Sequence, residues 1–249
     1  MEEPERPITT ATSAARFAAT HWSAVVRAGS LDTANAPGAL EELCQVYWFP
    51  LYAFARRRGC SPADAEDLTQ AFFARLLEHN FVARADPAKG RFRTFLLTLF
   101  KRFLVNEWTR EHAQKRGGLQ PVVSIDSQVA ESRFGADPAH AGQPDTLFER
   151  QWAMTLLDEA MKRLEDEYRG SGRSRLFEHL EGCLMREPGA LPYADIANRL
   201  NLSEAAVKMA MQRLRARYQA ILREEIGKTV ASPEEVEPEL RDLFNAFHK

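Results

Sequence analysis

Apolar residues recur at helical spacing between Ala39 and Arg58, where Leu40, Leu43, Tyr47, Leu51 and Phe54 share one face. Pro50 lies inside that pattern and predicts a kink or a break, because proline has no N–H to continue the helical bonds. Gly59 ends the helix. Ser61-Pro62 opens the next one: serine can cap it, proline suits its first position, and Asp64 and Glu66 favour the positive end of its dipole. Leu68, Phe72, Phe73, Leu76 and Leu77 give its buried stripe, which fades at His79-Asn80. A loop centred on Asp86-Pro87 and Gly90 follows. A long helix then runs from Phe92 to Arg110, with Phe92, Phe95, Leu96, Leu99, Phe100, Phe103, Leu104 and Trp108 as its apolar positions. These aromatic residues fall on one stripe, so most belong to a core.

From residue 117 to 144 the pattern dissolves among Gly117, Gly118, Pro121, Pro138, Gly142 and Pro144, which reads as a linker with local structure at most near Val122 to Ile125. Helical spacing returns with Leu147, Phe148, Trp152, Leu156, Met161, Leu164 and Tyr168. It breaks at Gly170-Ser171-Gly172 and resumes with Leu176, Phe177 and Leu180. Two helices around a tight turn occupy Pro192 to Glu225. A further helix fits Leu240, Leu243, Phe244 and Phe247 in an acidic tail. Residues 1–37, rich in Ala, Thr, Ser and Pro, form an extension with room for a short helix from Phe17 to Val26. No strand pattern, heptad run or internal repeat is present. The expected fold is all-α. Two small helical domains, 38–116 and 145–227, are joined by a linker at 117–144 and followed by an acidic extension at 228–249.

Charge separates the two domains from an otherwise near-neutral chain. Arg84 to Arg116 holds nine basic residues against three acidic ones, and Arg199 to Arg223 holds six against Glu204 alone. Two basic islands suggest two contacts with a polyanion. Cys44, Cys60 and Cys183 are odd in number, widely spaced and without histidines at ligand distance, so neither a disulfide framework nor a zinc site is expected. There is no apolar run long enough to span a membrane and no secretory signal pattern at Met1–Pro7. A reducing, cytoplasmic setting is expected. Glu66, Asp67 and Glu78 lack a partner histidine, and no nucleophile elbow or phosphate-binding glycine loop occurs. The residues therefore predict no enzyme, metal or cofactor.

The segment from Tyr193 to Arg215 has the pattern of a helix-turn-helix. Ala197 lets the second helix cross closely, while Ile196, Leu200, Val207 and Leu214 face inward. Asn201 suits the left-handed turn position, Ser203 caps the next helix, and Leu202 is expected to plug the turn from inside. Glu204, Ala205, Lys208, Met209 and Gln212 are left on the face that would enter a major groove. Arg213, Arg215 and Arg217 are placed for flanking phosphates.

Three stretches carry a resemblance. Asp64-Ala-Glu-Asp-Leu-Thr-Gln-Ala-Phe-Phe-Ala-Arg-Leu-Leu77, Gly90-Arg-Phe-Arg-Thr-Phe-Leu-Leu-Thr-Leu-Phe-Lys-Arg-Phe-Leu-Val-Asn106 and the helix-turn-helix stand in an order similar to that of the extracytoplasmic-function sigma factors, over roughly Ala39 to Glu225. The resemblance implies a promoter-specific initiation factor whose partners are core RNA polymerase and promoter DNA, with no membrane association. By resemblance, Asp64, Glu66, Asp67, Leu68 and Phe72 would bind the polymerase. Asn80, in a loop that captures a flipped base, would act on the −10 element with Arg91, Arg93, Lys101, Arg102, Asn106 and Arg110. Ser203, Glu204, Ala205, Lys208, Met209, Gln212, Arg213 and Arg215 would read the −35 element. The linker, mildly acidic through Asp126, Glu131, Asp137, Asp145 and Glu149, would thread the polymerase toward the RNA path.

The chain departs from the family in its longer ends and linker. Phe95 stands where the family often has Trp, and Asn106 where an Asp is common. Regulation by an anti-sigma factor or by the terminal extensions is compatible with the resemblance. The charge of the tail points to packing against the Arg199–Arg223 island and restraint of DNA binding there. The alternative, a stand-alone helix-turn-helix regulator, accounts for the second island but not for the first domain.

Overall fold

The computed structural model describes residues 36–78, 90–113, 127–136, 143–185, 189, 191–230 and 232–248. The helix expected at Phe17–Val26, local structure at Val122–Ile125 and the base-capturing loop with Asn80 lie outside them. Every regular element among the described residues is helical: α1 (Ala36–Arg57), α2 (Pro62–Glu78), α3 (Phe92–Ala113), α4 (Ser127–Ala136), α5 (Pro144–Gly170), α6 (Ser174–Met185), α7 (Tyr193–Leu200), α8 (Glu204–Thr229), a 3-10 turn (Pro233–Glu235) and α9 (Val236–Asn245). The fold is all-α, as the apolar spacing predicts. By compactness, one unit comprises the chain through Ala153 together with Gly227 onward, and a second comprises Met154–Ile226. The chain thus leaves the first unit within α5 and re-enters it near the end of α8.

In the first unit α1 is the central helix. Val46 to Ala55 is buried throughout, Pro50 included, and the helix runs unbroken through Pro50 despite its missing N–H. Helices α2 and α3 both pack on α1 and on each other. Aromatic rings fill the space between them. Phe72 meets Phe100 edge-on at 5.0 Å and Phe103 at 5.6 Å, Phe54 meets Phe100 at 6.0 Å, and Tyr47 meets Phe92 at 5.5 Å. Such edge-to-face pairs add to the stabilisation from apolar burial. Gly59, at φ 96°, stops α1 in a Schellman turn: its own N–H donates to the Arg56 carbonyl and that of Cys60 to the Ala55 carbonyl.

Helix α4 corrects the expectation of an unstructured linker. It packs on α2, and its Glu131 carboxylate accepts bonds from the Tyr52 hydroxyl at 2.7 Å and from Arg56 Nε and Nη2 at 2.7 and 3.0 Å. Arg133 lies 4.2 Å from the Phe49 ring centroid, and Arg56 lies 5.2 Å from that of Phe134. The bond from Arg56 is the main influence holding the Glu131 carboxyl below its ordinary pKa, while burial followed by contact with Glu131 raises that of the Tyr52 phenol. Long-range charge pairing thus holds a segment whose own apolar pattern is too sparse to announce a helix.

In the second unit the later turns of α5 bury Leu156, Ala160, Leu164 and Tyr168, and α8 buries Val207, Ala210, Met211, Leu214, Ile221, Leu222 and Ile226. Arg217 makes a forked pair with Glu167, its Nε and Nη2 at 2.7 and 2.6 Å from the two carboxylate oxygens, and reaches Glu224 at 3.2 Å. Arg163 pairs with Glu225 at 2.9 Å and also with Glu224. These contacts tie α5 to α8. They also occupy Arg217, which the sequence alone places for phosphate contact.

Candidate nucleic-acid interface

Helix α3 turns Phe92, Leu96, Leu97, Phe100, Phe103 and Leu104 inward. Its outer surface carries Thr94, Thr98, Arg102, Val105, Asn106, Trp108, Thr109 and Arg110. Thr98 and Thr109 bond to carbonyls of their own helix, at 2.8 Å each. Val105 and Trp108 are large apolar side chains left 54% and 40% exposed among cations. The Arg58 guanidinium at the end of α1 lies 5.9 Å from the Trp108 ring centroid. Arg58 is absent from the sequence-based candidates, although the run Arg56-Arg57-Arg58 was its signal.

The sequence-predicted −10 residues divide sharply in their surroundings. Arg102, Asn106 and Arg110 are exposed, and among the described residues Arg110 meets a distant carboxylate, Glu107 at 3.9 Å. Lys101 pairs with Asp145 at 2.6 Å. Arg91 pairs with Glu239 at 2.9 Å and also with Asp242. Arg93 is a correction: its side chain is 4% exposed, it donates to Glu149 at 2.7 Å, it contacts Glu239, and it stacks 4.2 Å from the Trp152 ring centroid. A buried guanidinium held by two carboxylates and an indole is a core residue and cannot meet a phosphate as it stands. The acidic tail is a second correction. Its carboxylates Glu239 and Asp242 belong to the first unit and pair with Arg91 and Arg93 there, not with the Arg199–Arg223 island.

On α2, Asp64 and Asp67 are exposed, and Glu66 and Leu68 are half-buried. Ser61 caps this helix: its Oγ accepts the Asp64 N–H at 3.2 Å and donates to the Asp64 carboxylate at 2.6 Å. Glu66 accepts from Gln70 Nε2 at 3.2 Å. Phe72 is again a correction, because it is 4% exposed and belongs to the aromatic core rather than to a surface.

The second candidate face belongs to α7 and α8. Asn201 takes the left-handed conformation, φ 54° and ψ 45°, the one non-glycine with positive φ among the described residues. The Leu202 N–H donates to the Ala197 carbonyl at 2.9 Å and that of Asn201 to Asn198 at 3.4 Å, which closes the turn through the backbone. Leu202 itself is 44% exposed, so it does not plug the turn from inside, while Ile196 and Val207 are fully buried. Ser203 Oγ accepts the Ala206 N–H at 3.1 Å and caps α8. Ser203→Ala should cost about 1 kcal/mol and lower the melting midpoint by about 2–4 °C, as a calorimetric scan would register.

Beyond the cap, Glu204, Ala205, Lys208, Met209, Gln212, Arg213 and Arg215 are all exposed, with Lys208 and Glu204 paired at 2.7 Å. Met209 is 53% exposed. These seven exposed side chains on one helix include hydrogen-bond donors, an acceptor and an apolar group.

Residues 47–114, from the middle of α1 through α3, match the family model for Sigma-70 region 2. That segment is similar to sigma-70 region 2. The match supports a role in promoter recognition and RNA polymerase binding. No curated protein matches the chain significantly, and no solved structure does. The matched segment carries both the exposed surface of α3 and the acidic start of α2. Among the described residues no group of three His, Cys, Asp or Glu side chains is placed to hold a metal ion, and no helix is long and apolar enough to cross a membrane.

Proposed function

We propose that the chain is a transcription initiation factor of the extracytoplasmic-function sigma type, which binds core RNA polymerase and directs it to promoters through −10 and −35 elements. The observation that carries this reading is that one chain holds both a segment that matches sigma-70 region 2 and a helix-turn-helix pair with an exposed second helix. Asp64, Glu66, Asp67 and Leu68 on α2 form the polymerase contact, the carboxylates meeting basic residues and Leu68 supplying apolar area. Arg102, Asn106 and Arg110 on α3 hold the −10 strand, with Trp108 and Arg58 offering a flat surface for an unstacked base. Asn80, between α2 and α3 in sequence, belongs to the same contact. A major groove about 12 Å wide admits a single helix. Glu204, Ala205, Lys208, Met209 and Gln212 then address base edges of the −35 element, while Ser203, Arg213 and Arg215 hold flanking phosphates.

Gel filtration with bacterial core RNA polymerase tests this reading. The wild type should co-elute with the enzyme, and Asp67→Arg should weaken the complex at least tenfold, about 1.4 kcal/mol, by placing like charges across the contact. If the wild type elutes alone at micromolar concentrations, the initiation-factor reading falls and a stand-alone helix-turn-helix regulator replaces it.

A further inference from the structure

Helix α9 is amphipathic in an unusual way. Its buried face is Val236, Glu239 and Leu243, continued by Ala246 just past its end, so one carboxylate sits inside an otherwise apolar stripe. The Glu239 side chain is 3% exposed and meets both Arg91 and Arg93. Three residues on, Asp242 meets Arg91 from the same side of the helix. Past the end of α9, Phe247 lies under Arg150, 5.2 Å from guanidinium carbon to ring centroid. The remaining acids of the tail, Glu234, Glu235 and Glu237, are exposed. The two carboxylates that meet the arginines are therefore set apart from the general acidity of the tail by position and burial.

Arg91 and Arg93 open the helix whose outer surface is the proposed −10 contact, and Arg91 is still 43% exposed at the rim of the cluster. A guanidinium already shared between two carboxylates has little to gain from a phosphate, because each new charge-assisted bond would replace an existing one. Arg93 is sealed by the same helix. Displacing α9 would free Arg91, leave Arg93 with Glu149 as its remaining carboxylate, and extend the basic surface toward the start of α3.

We infer that α9 is an internal mimic of the nucleic-acid backbone: Glu239 and Asp242 occupy the Arg91–Arg93 end of the region 2 surface, and single-stranded DNA engages that end only when α9 lifts away. The inference rests on the reading of α3 as a DNA-binding helix and adds to it a built-in competitor.

The test is fluorescence anisotropy of the full chain with a fluorescein-labelled single-stranded oligonucleotide of mixed sequence, across a salt series. Glu239→Gln/Asp242→Asn removes the two competing charges and keeps their shape. Glu234→Gln/Glu237→Gln removes the same charge from exposed positions of the tail. The first variant should bind about tenfold tighter than wild type. Its plot of log K against log salt should steepen by about 1.4, the equivalent of two added phosphate contacts on a single strand. The second variant should stay within about twofold of wild type, as expected of exposed charges. Equal gains in the two variants, or no gain in the first, would overturn the inference.

Should the first variant fail to fold, hydrogen exchange on the wild type decides. Protection of amides 236–245 should fall when the oligonucleotide is bound at saturation, and unchanged protection with DNA bound defeats the mechanism. Co-elution with polymerase is scored separately. A chain that ignores polymerase yet shows the selective gain loses the initiation-factor reading and keeps the competitor. A chain that co-elutes without the gain keeps the first and loses the second.

Discussion

Arg93→Ala is expected to destabilise the first unit by about 3–5 kcal/mol, the range for removing one partner of a buried ion cluster. At 4% exposure the Arg93 side chain has almost no water to lose. Its removal leaves Glu239, also buried at 3% exposure, facing only the half-exposed Arg91, and leaves Glu149 without its 2.7 Å partner. The indole of Trp152 also loses the cation 4.2 Å from its ring centroid. At about 2–4 °C per kcal/mol, the melting midpoint should fall by roughly 6–20 °C. Arg102→Ala supplies the contrast, because Arg102 is exposed; surface substitutions of that kind usually stay within about 0.5 kcal/mol. Calorimetry on the two variants separates the roles. If Arg93→Ala melts like the wild type and loses only DNA affinity, the buried cluster is not holding the unit together and Arg93 belongs with the DNA contacts.

Phe72→Ala is expected to cost about 3–5 kcal/mol as well, by a different route. The ring packs against Phe100 and Phe103 from α3 and Phe73 from its own helix. Removing it opens a cavity among aromatic neighbours that cannot collapse without breaking their edge-to-face contacts. Denaturant unfolding should show a lower midpoint with little change in slope. The comparison with Asp67→Arg matters for function. Asp67 is exposed, so its variant should fold normally and lose polymerase, whereas Phe72→Ala should lose both together. A Phe72→Ala protein of wild-type stability that fails to bind polymerase would return Phe72 to the interface.

How far the sequence could be read depended on the range of the forces involved. Helices α1, α2, α3 and α8 follow from apolar spacing, and the turn at Asn201-Leu202-Ser203 follows from residues whose preferences act within a few positions. Those are local effects. The partner of the tail was not local: both basic islands complement its charge, and nothing in net charge chooses between them. The choice is made by the stripe Val236, Leu243 and Ala246, which sets Glu239 beside arginines far away in sequence. Helix α4 stayed hidden for the same reason, since its anchor is Glu131 reaching Tyr52 and Arg56. Phe72 and Leu202 show the complementary error. Hydrophobicity alone does not say whether a side chain is core, as Phe72 is, or exposed, as Leu202 is. For the candidate site, exposure sorted the residues: the candidates on α8 are all exposed, while the basic residues at and along α3 split into exposed and engaged sets.

The discontinuity of the first unit has a consequence for the order of events on the ribosome. The nascent chain delivers α1, α2, α3 and the start of α5 first, then all of Met154–Ile226, and only afterwards the helix that carries Glu239. At about 5–20 residues per second, several seconds pass during which Arg91 and Arg93 have emerged and α9 has not been made. Throughout that interval the newborn protein presents its arginines without the carboxylates that later cover them, beside whatever nucleic acid lies near the site of translation.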